Sequence, residues 1–289
     1  MQGALLTAPA FAQKLSFESL PSMPAPQHEV PTLATLQFDV TTLPQGTFDA
    51  DAGGGTGTAS DSDHHGVVKR AIKRTLEDQK ELYRAPFKES NFKWDVLELA
   101  GTGGLIAADR HIETHIGRAH YQFYQDTSNI AIGGLSAALA GVFVYGLKTE
   151  NHRHARETGF LTLETLVDTF LIYTPMQLIA ARQRPGEGNG NGDFWKHHAI
   201  NTSFPGGHAM FTFSMATILS HEYSQKWVQV LAYSAASIVT VSRFMARDHW
   251  SSDMFIGAAL GIGIASHVFH AHCDPELSDS CKHHTRFIF

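Results

Sequence analysis

The fold and the chemistry of this 289-residue chain are indicated by one stretch, SRFMARDHWSSD, which spans Ser242–Asp253. It spaces three functional side chains: His249 follows Arg243 by six residues, and Asp253 follows His249 by four. If a helix begins at His249, Asp253 lies on the same face, within reach of the imidazole. A carboxylate that accepts from one ring nitrogen makes the other nitrogen a better nucleophile, and an arginine fork matches phosphate oxygens. Alone, however, such spacing is more often a surface helix with a chance ion pair.

Two segments farther upstream carry matching pieces. Gln177–Pro185 ends in Arg-Pro, and Phe204–His208 reads Phe-Pro-Gly-Gly-His directly before the apolar run 209–219. Successive glycines ahead of a helix expose backbone N–H groups that hold an anion, and the helix dipole favours negative charge there. His208 would therefore touch whatever these amides bind. Each piece alone is weak, because a Gly-Gly-His loop is more often a plain turn and Arg-Pro a helix stop.

In this order the three pieces resemble the signature of the type 2 phosphatidic acid phosphatase superfamily, which also includes bacterial acid phosphatases and vanadium haloperoxidases. That pattern is Lys, six residues, Arg-Pro; then Pro-Ser-Gly-His; then Ser-Arg, five residues, His, three residues, Asp. The third element matches Ser242–Asp253 at every defined position. In the first element Gln177 replaces the lysine, and in the second Gly206 replaces the serine. The resemblance covers roughly residues 90 to 273.

The resemblance implies a role for each matched residue. His249 would attack phosphorus and form a phosphohistidine, while Asp253 would orient and polarise it. His208 would protonate the leaving oxygen and then activate water. Most of the transition-state stabilisation must come from groups that bind the equatorial phosphate oxygens. The remaining matched residues would do this: Gln177, Arg184, Gly206, Gly207 and Arg243. This scheme uses no metal and no cofactor, so none is expected.

The two departures from the signature have physical consequences. Gln177 can donate a hydrogen bond but brings no charge, and a charge-assisted bond is about twice as strong as a neutral one. We therefore expect a weaker grip on phosphate, unless Arg182 or Lys196 supplies the missing charge, and tighter phosphate binding if lysine is restored. Gly206 removes a hydroxyl donor but keeps the amide. An active site with altered substrate preference is favoured, and a pseudoenzyme is the alternative.

Helical patterns fill the chain from Val67 onward. An amphipathic segment runs to about Tyr83, and six apolar stretches follow, near residues 96–108, 129–147, 160–182, 208–222, 227–242 and 253–272. No alternating strand pattern interrupts them, so the fold class is all-α. The resemblance implies a bundle of about six core helices of the phosphatidic acid phosphatase type 2 and haloperoxidase type. Pro185 is expected to close one helix, and Asp253 to lie near the N-cap of another.

We predict a helical domain at residues 67–273, and the segments before and after it differ from it in composition. Residues 1–12 end in Ala-Phe-Ala without a basic segment before them, which resembles a signal segment cut short. Residues 13–66 are rich in Pro, Gly, Ser and Thr, which is typical of a disordered lead. In the tail at 274–289, Cys281 can pair with Cys273 in an exported protein. A zinc site is the less favoured alternative there, and its candidate ligands are Cys273, Cys281, His267, His270, His272, His283 and His284.

The composition of the chain limits where the protein can be located and which partners it can bind. Apolar residues make up 43% of the chain and charged residues only 17%, which fits a membrane protein or a heavily buried bundle. The formal net charge of −6 argues against nucleic acid as a partner. Asn129–Leu147 and Asp253–His272 approach the roughly 20 apolar residues that a membrane span needs. Two locations in the cell envelope stay open: the inner membrane with the site facing the periplasm, or a soluble periplasmic bundle.

Together these features predict a metal-independent phosphatase that hydrolyses a phosphomonoester or pyrophosphate through a phosphohistidine. A lipid phosphate is the favoured substrate, by resemblance and because the helices are apolar. His197 and His198 lie between two motifs and are further candidates to meet the substrate. Two alternatives are a vanadate-dependent haloperoxidase, against which Gln177 counts, and a non-catalytic anion-binding envelope protein with the same scaffold.

Overall fold

The computed structural model describes residues 62–117, 120–148, 150–197 and 201–282. These residues form helices and no strand, so the all-α prediction is confirmed. The helices are α1 (Ser62–Arg84), α2 (Phe92–Thr114), α3 (Tyr121–Lys148), α4 (Arg153–Ala180), α5 (Gly207–Glu222), α6 (Lys226–Met245), α7 (Ser251–His272) and α8 (Asp279–Lys282). The predicted signal segment and nearly all of the predicted lead fall on residues 1–61, outside the described residues.

Helices α2 to α7 correspond to the six predicted apolar stretches, and most of them extend a few residues farther at one or both ends. One predicted end is wrong: α4 closes at Ala180, five residues before Pro185. Ala181 is left-handed, with φ of 42°, and its N–H still donates to the carbonyl of Gln177. A left-handed residue after the last turn is a common helix stop. It turns the chain so that the next residue, Arg182, enters the interior.

Helices α5 and α7 form the centre of the bundle because glycines let their backbones touch. A Cβ atom on Gly257 would lie 2.4 Å from the carbonyl oxygen of Gly206, and one on Gly261 would lie 2.2 Å from that of Met210. Any larger residue would push the two helices apart. Around this contact lies a buried apolar cluster: Leu161, Met210, Ile218, Ile264, Ala265, Val268, Phe269 and Cys281.

The starts of α5 and α7 meet at one end of the bundle, which we call the site end. There the N–H of Gly206 donates to the carbonyl of Asp253, at 2.9 Å. The C-terminal turn of α4 reaches the same end, since Gln177 bonds to the loop before α5. The chain between α3 and α4 lies at the opposite end, because α4 runs the length of the bundle. All three sequence motifs therefore converge on the site end.

Three of the described helices are long and apolar enough to cross a membrane: Tyr121–Lys148, Lys226–Met245 and Ser251–His272. On the first two, large apolar side chains face outward rather than into the bundle. Examples are Ile130, Val144, Val230, Leu231 and Val241. Such a surface is costly in water and favourable in lipid. These helices fit a membrane-associated protein of the cell envelope.

Candidate active site

His249 lies in the short connection between α6 and α7 and is almost completely buried, with 2% of its surface exposed. Its Nδ1 lies 2.7 Å from the backbone carbonyl oxygen of Ser203. A carbonyl can only accept, so Nδ1 must carry the hydrogen and Nε2 must carry the lone pair. The backbone of the Ser203–Pro205 loop thus fixes the tautomer that a nucleophilic histidine needs.

His208 faces that lone pair from the second residue of α5. Its Nδ1 lies 3.3 Å from Nε2 of His249, so the contact is a long hydrogen bond in which Nδ1 of His208 donates. A histidine on α5 and a histidine in the connection between α6 and α7 are thereby aimed at one point. A phosphoryl group bound between them would meet the nucleophile on one side and a proton donor on the other.

Burial keeps both histidines neutral in the empty site. Burial is the main reason that the pKa of His208 falls to about 4, and the charge of Arg243 lowers it further. Burial, followed by the nearby charges of His208 and Arg184, holds the pKa of His249 well below its ordinary value. A neutral His249 can act as a nucleophile at neutral pH. His208 can act as an acid only when an anion arrives, because opposite charge favours the protonated form.

Asp253 does not contact His249, so the predicted direct hydrogen bond is wrong. Helix α7 begins at Ser251 rather than at His249, with Trp250 as an extended N-cap. Asp253 is therefore the third helical residue, and its carboxylate turns back to accept from the N–H of Trp250 at 2.9 Å. It also accepts from the hydroxyl of Ser203, at 2.5 Å. Asp253 reaches His249 only through Ser203, whose position it fixes.

Arg182 holds Asp253 from the other side, in the interior. Only 1% of its surface is exposed. Its guanidinium forms ion pairs with Asp253, at 2.7 Å, and with Asp109 of α2, at 2.8 Å. The rings of Phe194 and Trp250 lie within cation–π distance of it. Because both buried carboxylates take up its charge, Arg182 cannot replace the missing lysine charge at the phosphate.

Two other arginines flank the histidine pair. Arg243 is braced by Asp248, at 2.8 Å, and by Ser128, at 2.9 Å, so its fork has a fixed orientation. Arg184 bonds to Asn201, while its buried Nε has no hydrogen-bond partner among the described residues. Both guanidinium charges act on His208 and His249. A bound anion would give the free donor of Arg184 a partner.

The backbone cradle for an anion begins at Gly207, not at Gly206 as predicted. The N–H of Gly206 is already bonded to the carbonyl of Asp253. The first bond inside α5 runs from the N–H of Met210 to the carbonyl of Gly206, so the amides of residues 207–209 have no acceptor within the helix. These amides and the helix dipole favour an anion beside His208.

The glycine that replaces the family's serine is required by packing. A Cβ atom on Gly206 would lie 2.5 Å from the terminal methyl of Met254 and 2.7 Å from the carbonyl oxygen of Asp253. The backbone oxygen cannot move aside without separating the starts of α5 and α7. The loss of the serine hydroxyl is thus tied to the close approach of these two helices.

Comparison with known proteins agrees with this arrangement. Residues 159–274, which run from within α4 to just after α7, match the PAP2 superfamily. The match contains both histidines, both flanking arginines and Arg182, whereas Asp109 lies before it. The resemblance read from the three motifs is therefore confirmed.

A short stretch of the chain is also similar to a curated enzyme. Over 62 residues it is 40% identical to the lipid A 1-phosphatase of Porphyromonas gingivalis. This stretch covers 21% of the chain and 14% of that protein. No solved structure matches the chain significantly.

Gln177, at the position of the PAP2 lysine, forms hydrogen bonds with the loop before α5 rather than facing the phosphate site. Its side-chain oxygen accepts from the N–H of Thr202 at 2.9 Å, and its amide nitrogen donates to the carbonyl of Thr202 at 3.1 Å. A longer contact, 3.5 Å, joins the same nitrogen to the carbonyl of Pro205. The side chain is fully buried. Its predicted role in phosphate binding is corrected: it holds the loop that carries Ser203.

Replacing Gln177 with lysine is accordingly expected to weaken the protein without improving phosphate binding. Lysine has no acceptor for the N–H of Thr202, and an unsatisfied buried donor costs about 1–3 kcal/mol. We expect a lower melting temperature and an inhibition constant for inorganic phosphate that is unchanged or higher. Gln225→Lys, at an exposed N-cap, is the matched control. Tighter phosphate inhibition at an unchanged melting temperature would show that residue 177 faces the phosphate.

Sequence reasoning missed Ser203, Asp109 and Asp248. The signal for Asp109 was an acidic residue directly after the apolar run 96–108. Ser203 gave no signal, because it acts through its backbone carbonyl. Of the two further candidates to meet the substrate, His197 bonds to Glu187 at 2.9 Å, and His198 lies outside the described residues.

The tail contains the predicted disulfide. Cys273 and Cys281 are joined, with their Cα atoms 6.0 Å apart. The bond removes both thiols from any zinc site. His283 and His284 lie outside the described residues, whereas His267 and His272 turn toward α1 rather than toward the tail.

Proposed function

We propose that this protein is a PAP2-type phosphatase that transfers the phosphoryl group of a lipid phosphate to His249 and then to water. The observation that carries the proposal is the histidine pair. The carbonyl of Ser203 leaves the lone pair of His249 on Nε2, and Nδ1 of His208 lies 3.3 Å from it. Similarity to a lipid A 1-phosphatase over 62 residues supports the phosphatase class.

In the first step, Nε2 of His249 attacks phosphorus while the bond between phosphorus and the leaving oxygen breaks. His208, protonated once the anionic substrate is bound, gives its proton to that leaving oxygen. In the second step, His208 takes a proton from water, whose oxygen attacks phosphorus. The bond between phosphorus and nitrogen breaks, which releases phosphate and restores neutral His249. No metal enters either step.

Stabilisation of the transition state is assigned to fixed donors around the histidines. Charge in phosphoryl transfer spreads over the three equatorial oxygens, so most of the rate gain comes from electrostatics. Arg184 and Arg243 supply two cationic forks, and the first amides of α5 add neutral donors. Asp248 holds Arg243 and thereby sets the direction of its fork.

Two features favour a lipid over a water-soluble substrate. The site lies at the ends of α6 and α7, two helices long and apolar enough to cross a membrane. A headgroup at the membrane surface would therefore reach the site while its chains stay in lipid. The last residue of α3 and the first turn of α4 carry Lys148, Arg153 and Arg156 at the opposite end. Because basic loops stay in the cytoplasm, we assign the site to the periplasmic face.

A substrate panel tests this function. Purified full-length protein in detergent would receive phosphatidate, a polyprenyl diphosphate, a lipid A phosphate and an aryl phosphate, each with and without a chelator. We expect phosphate release to be fastest from one of the lipids, at an initial rate that chelation leaves unchanged. Release from none of the four would overturn the phosphatase proposal. Release from the aryl phosphate alone would overturn the lipid class, and a rate lost on chelation at temperatures far below melting would overturn metal independence.

A further inference from the structure

A second cluster of histidines and carboxylates lies far from the phosphatase site. Asp78 of α1 is buried and bonds to two histidines of α7: Nε2 of His267 at 3.1 Å and Nε2 of His272 at 2.7 Å. Glu164 of α4 comes within 3.8 Å of the same nitrogen of His272. One ligand atom from each of Asp78, Glu164 and His272 lies within 4.8 Å of the others. Three helices thus direct metal-binding atoms at one point.

Asp168 provides a second, independent observation that favours a cation at this point. It lies one turn after Glu164 on α4 and is fully buried. One carboxylate oxygen accepts from Gln79 at 2.8 Å, whereas the other has no hydrogen-bond partner among the described residues. Asp168 lies close enough to Asp78, Glu164 and His267 for their charges to act on it. A buried carboxylate oxygen without a donor is costly unless a proton or a cation satisfies it.

The local charge balance points the same way. Asp78, Glu164 and Asp168 bring three carboxylates to one buried region. Apart from the two histidines, the described basic side chain that forms an ion pair with them is Arg74, which is 3.9 Å from Glu164 and 54% exposed, so solvent screens it. Imidazole nitrogens and carboxylate oxygens are the ligands that zinc and related divalent metals take in proteins.

We propose that Asp78, Glu164 and His272 form a binding site for a divalent cation of the zinc class, with Asp168 and His267 beside them. The site would fasten α1 to α4 and α7. Asp78 lies before residues 159–274, so the bound cation would join the PAP2 segment to a helix outside it.

This site is separate from the histidine pair that performs the chemistry. His267 and His272 are 16 and 21 residues along α7 from Ser251, which corresponds to about 24 and 32 Å of helix. A metal at this distance cannot touch a phosphoryl group at His249. Its expected effect is on stability, and the proposal is independent of whether the phosphatase function holds.

Metal binding to the wild-type protein is the first test. Purified full-length protein would be stripped with a chelator, returned to chelator-free buffer and titrated with Zn²⁺, with Mn²⁺ in parallel. We expect about one equivalent of zinc per chain, and a rise in melting temperature of about 5 °C or more at a hundredfold excess over the dissociation constant. Failure to bind either metal would overturn the proposal, and this test needs no variant.

Variants then locate the metal. Asp78→Asn and His272→Gln are expected to lower zinc affinity by about tenfold to a hundredfold each and, at the same zinc concentration, to reduce the thermal shift by about half or more. The matched controls are Glu77→Gln, at the exposed neighbour of Asp78, and His111→Gln, on the exposed surface of α2. His249→Ala should keep its zinc, because the phosphatase histidines are not the ligands. Zinc lost from His249→Ala, or kept unchanged in the Asp78→Asn and His272→Gln double variant, would overturn the assignment.

Discussion

His249→Ala is expected to reduce kcat on the preferred lipid phosphate by about 10⁴-fold or more, which is the scale on which removing a covalent nucleophile acts. The structure gives the reason. Nδ1 of His249 is committed to the carbonyl of Ser203, so Nε2 is its free nucleophilic atom. His208 donates through Nδ1 in the contact between them, so it is placed as the acid rather than as the nucleophile. Without Nε2 at this point, no covalent intermediate can form.

A chemical signature separates the loss of a nucleophile from the loss of a fold. Wild-type protein quenched during turnover should carry acid-labile phosphate on a histidine, and His249→Ala should carry none. Its melting temperature should fall by several degrees, because alanine leaves a cavity and removes the donor to the carbonyl of Ser203, so both proteins are compared at a temperature where the variant is folded. His111→Ala, on the exposed surface of α2, is the matched control. Full activity or retained acid-labile phosphate in His249→Ala would mean that another residue attacks phosphorus.

Much of the fold could be read from the sequence. Apolar stretches of helical length alternate with polar breaks, and each of the six stretches became one of the helices α2 to α7. The hydrophobic pattern failed to predict the end of α4, because a single backbone torsion determines where that helix ends. The chain leaves α4 at Ala181 through a left-handed conformation, which an alanine does not announce. The obvious stop signal, Pro185, comes five residues later.

The side chains that form the site could be predicted from the sequence, whereas the contacts that the backbone makes could not. The three motifs identified His208, His249 and the two flanking arginines, because their spacing is a property of the sequence. The contact between His249 and Ser203 was not predictable, since any residue can offer a carbonyl. A shift of two residues in the start of α7 also moved Asp253 away from His249.

Contacts between residues that are far apart in the sequence could not be predicted, for a further reason. Asp109 meets Arg182 across 73 residues. Asp78 meets His272 across 194 residues. No periodicity links such positions, so only the packing of α2 and α1 against the bundle brings them together.

Arg182→Met is expected to produce the largest loss of stability, about 3–5 kcal/mol, because it leaves two buried carboxylates without their cation. Asp109 and Asp253 are almost fully buried, so solvent cannot replace the guanidinium. For a domain of this size, that loss lowers the melting temperature by about 10 °C. Arg182→Lys should recover only part of it, since one ammonium group cannot reproduce the fork that spans both carboxylates. Arg110→Met, at an exposed position on α2, is the matched control.

The same variants show whether Arg182 also positions the nucleophile. Arg182 holds Asp253, Asp253 holds the hydroxyl of Ser203, and the carbonyl of Ser203 holds Nδ1 of His249. Release of this chain of contacts would loosen His249, so kcat should fall in Arg182→Lys at temperatures where the variant remains folded. KM should change little, because Arg184 and Arg243 hold the phosphate. A variant that loses stability but keeps the wild-type kcat would confine Arg182 to the fold, and one that keeps its melting temperature would contradict the buried ion pairs themselves.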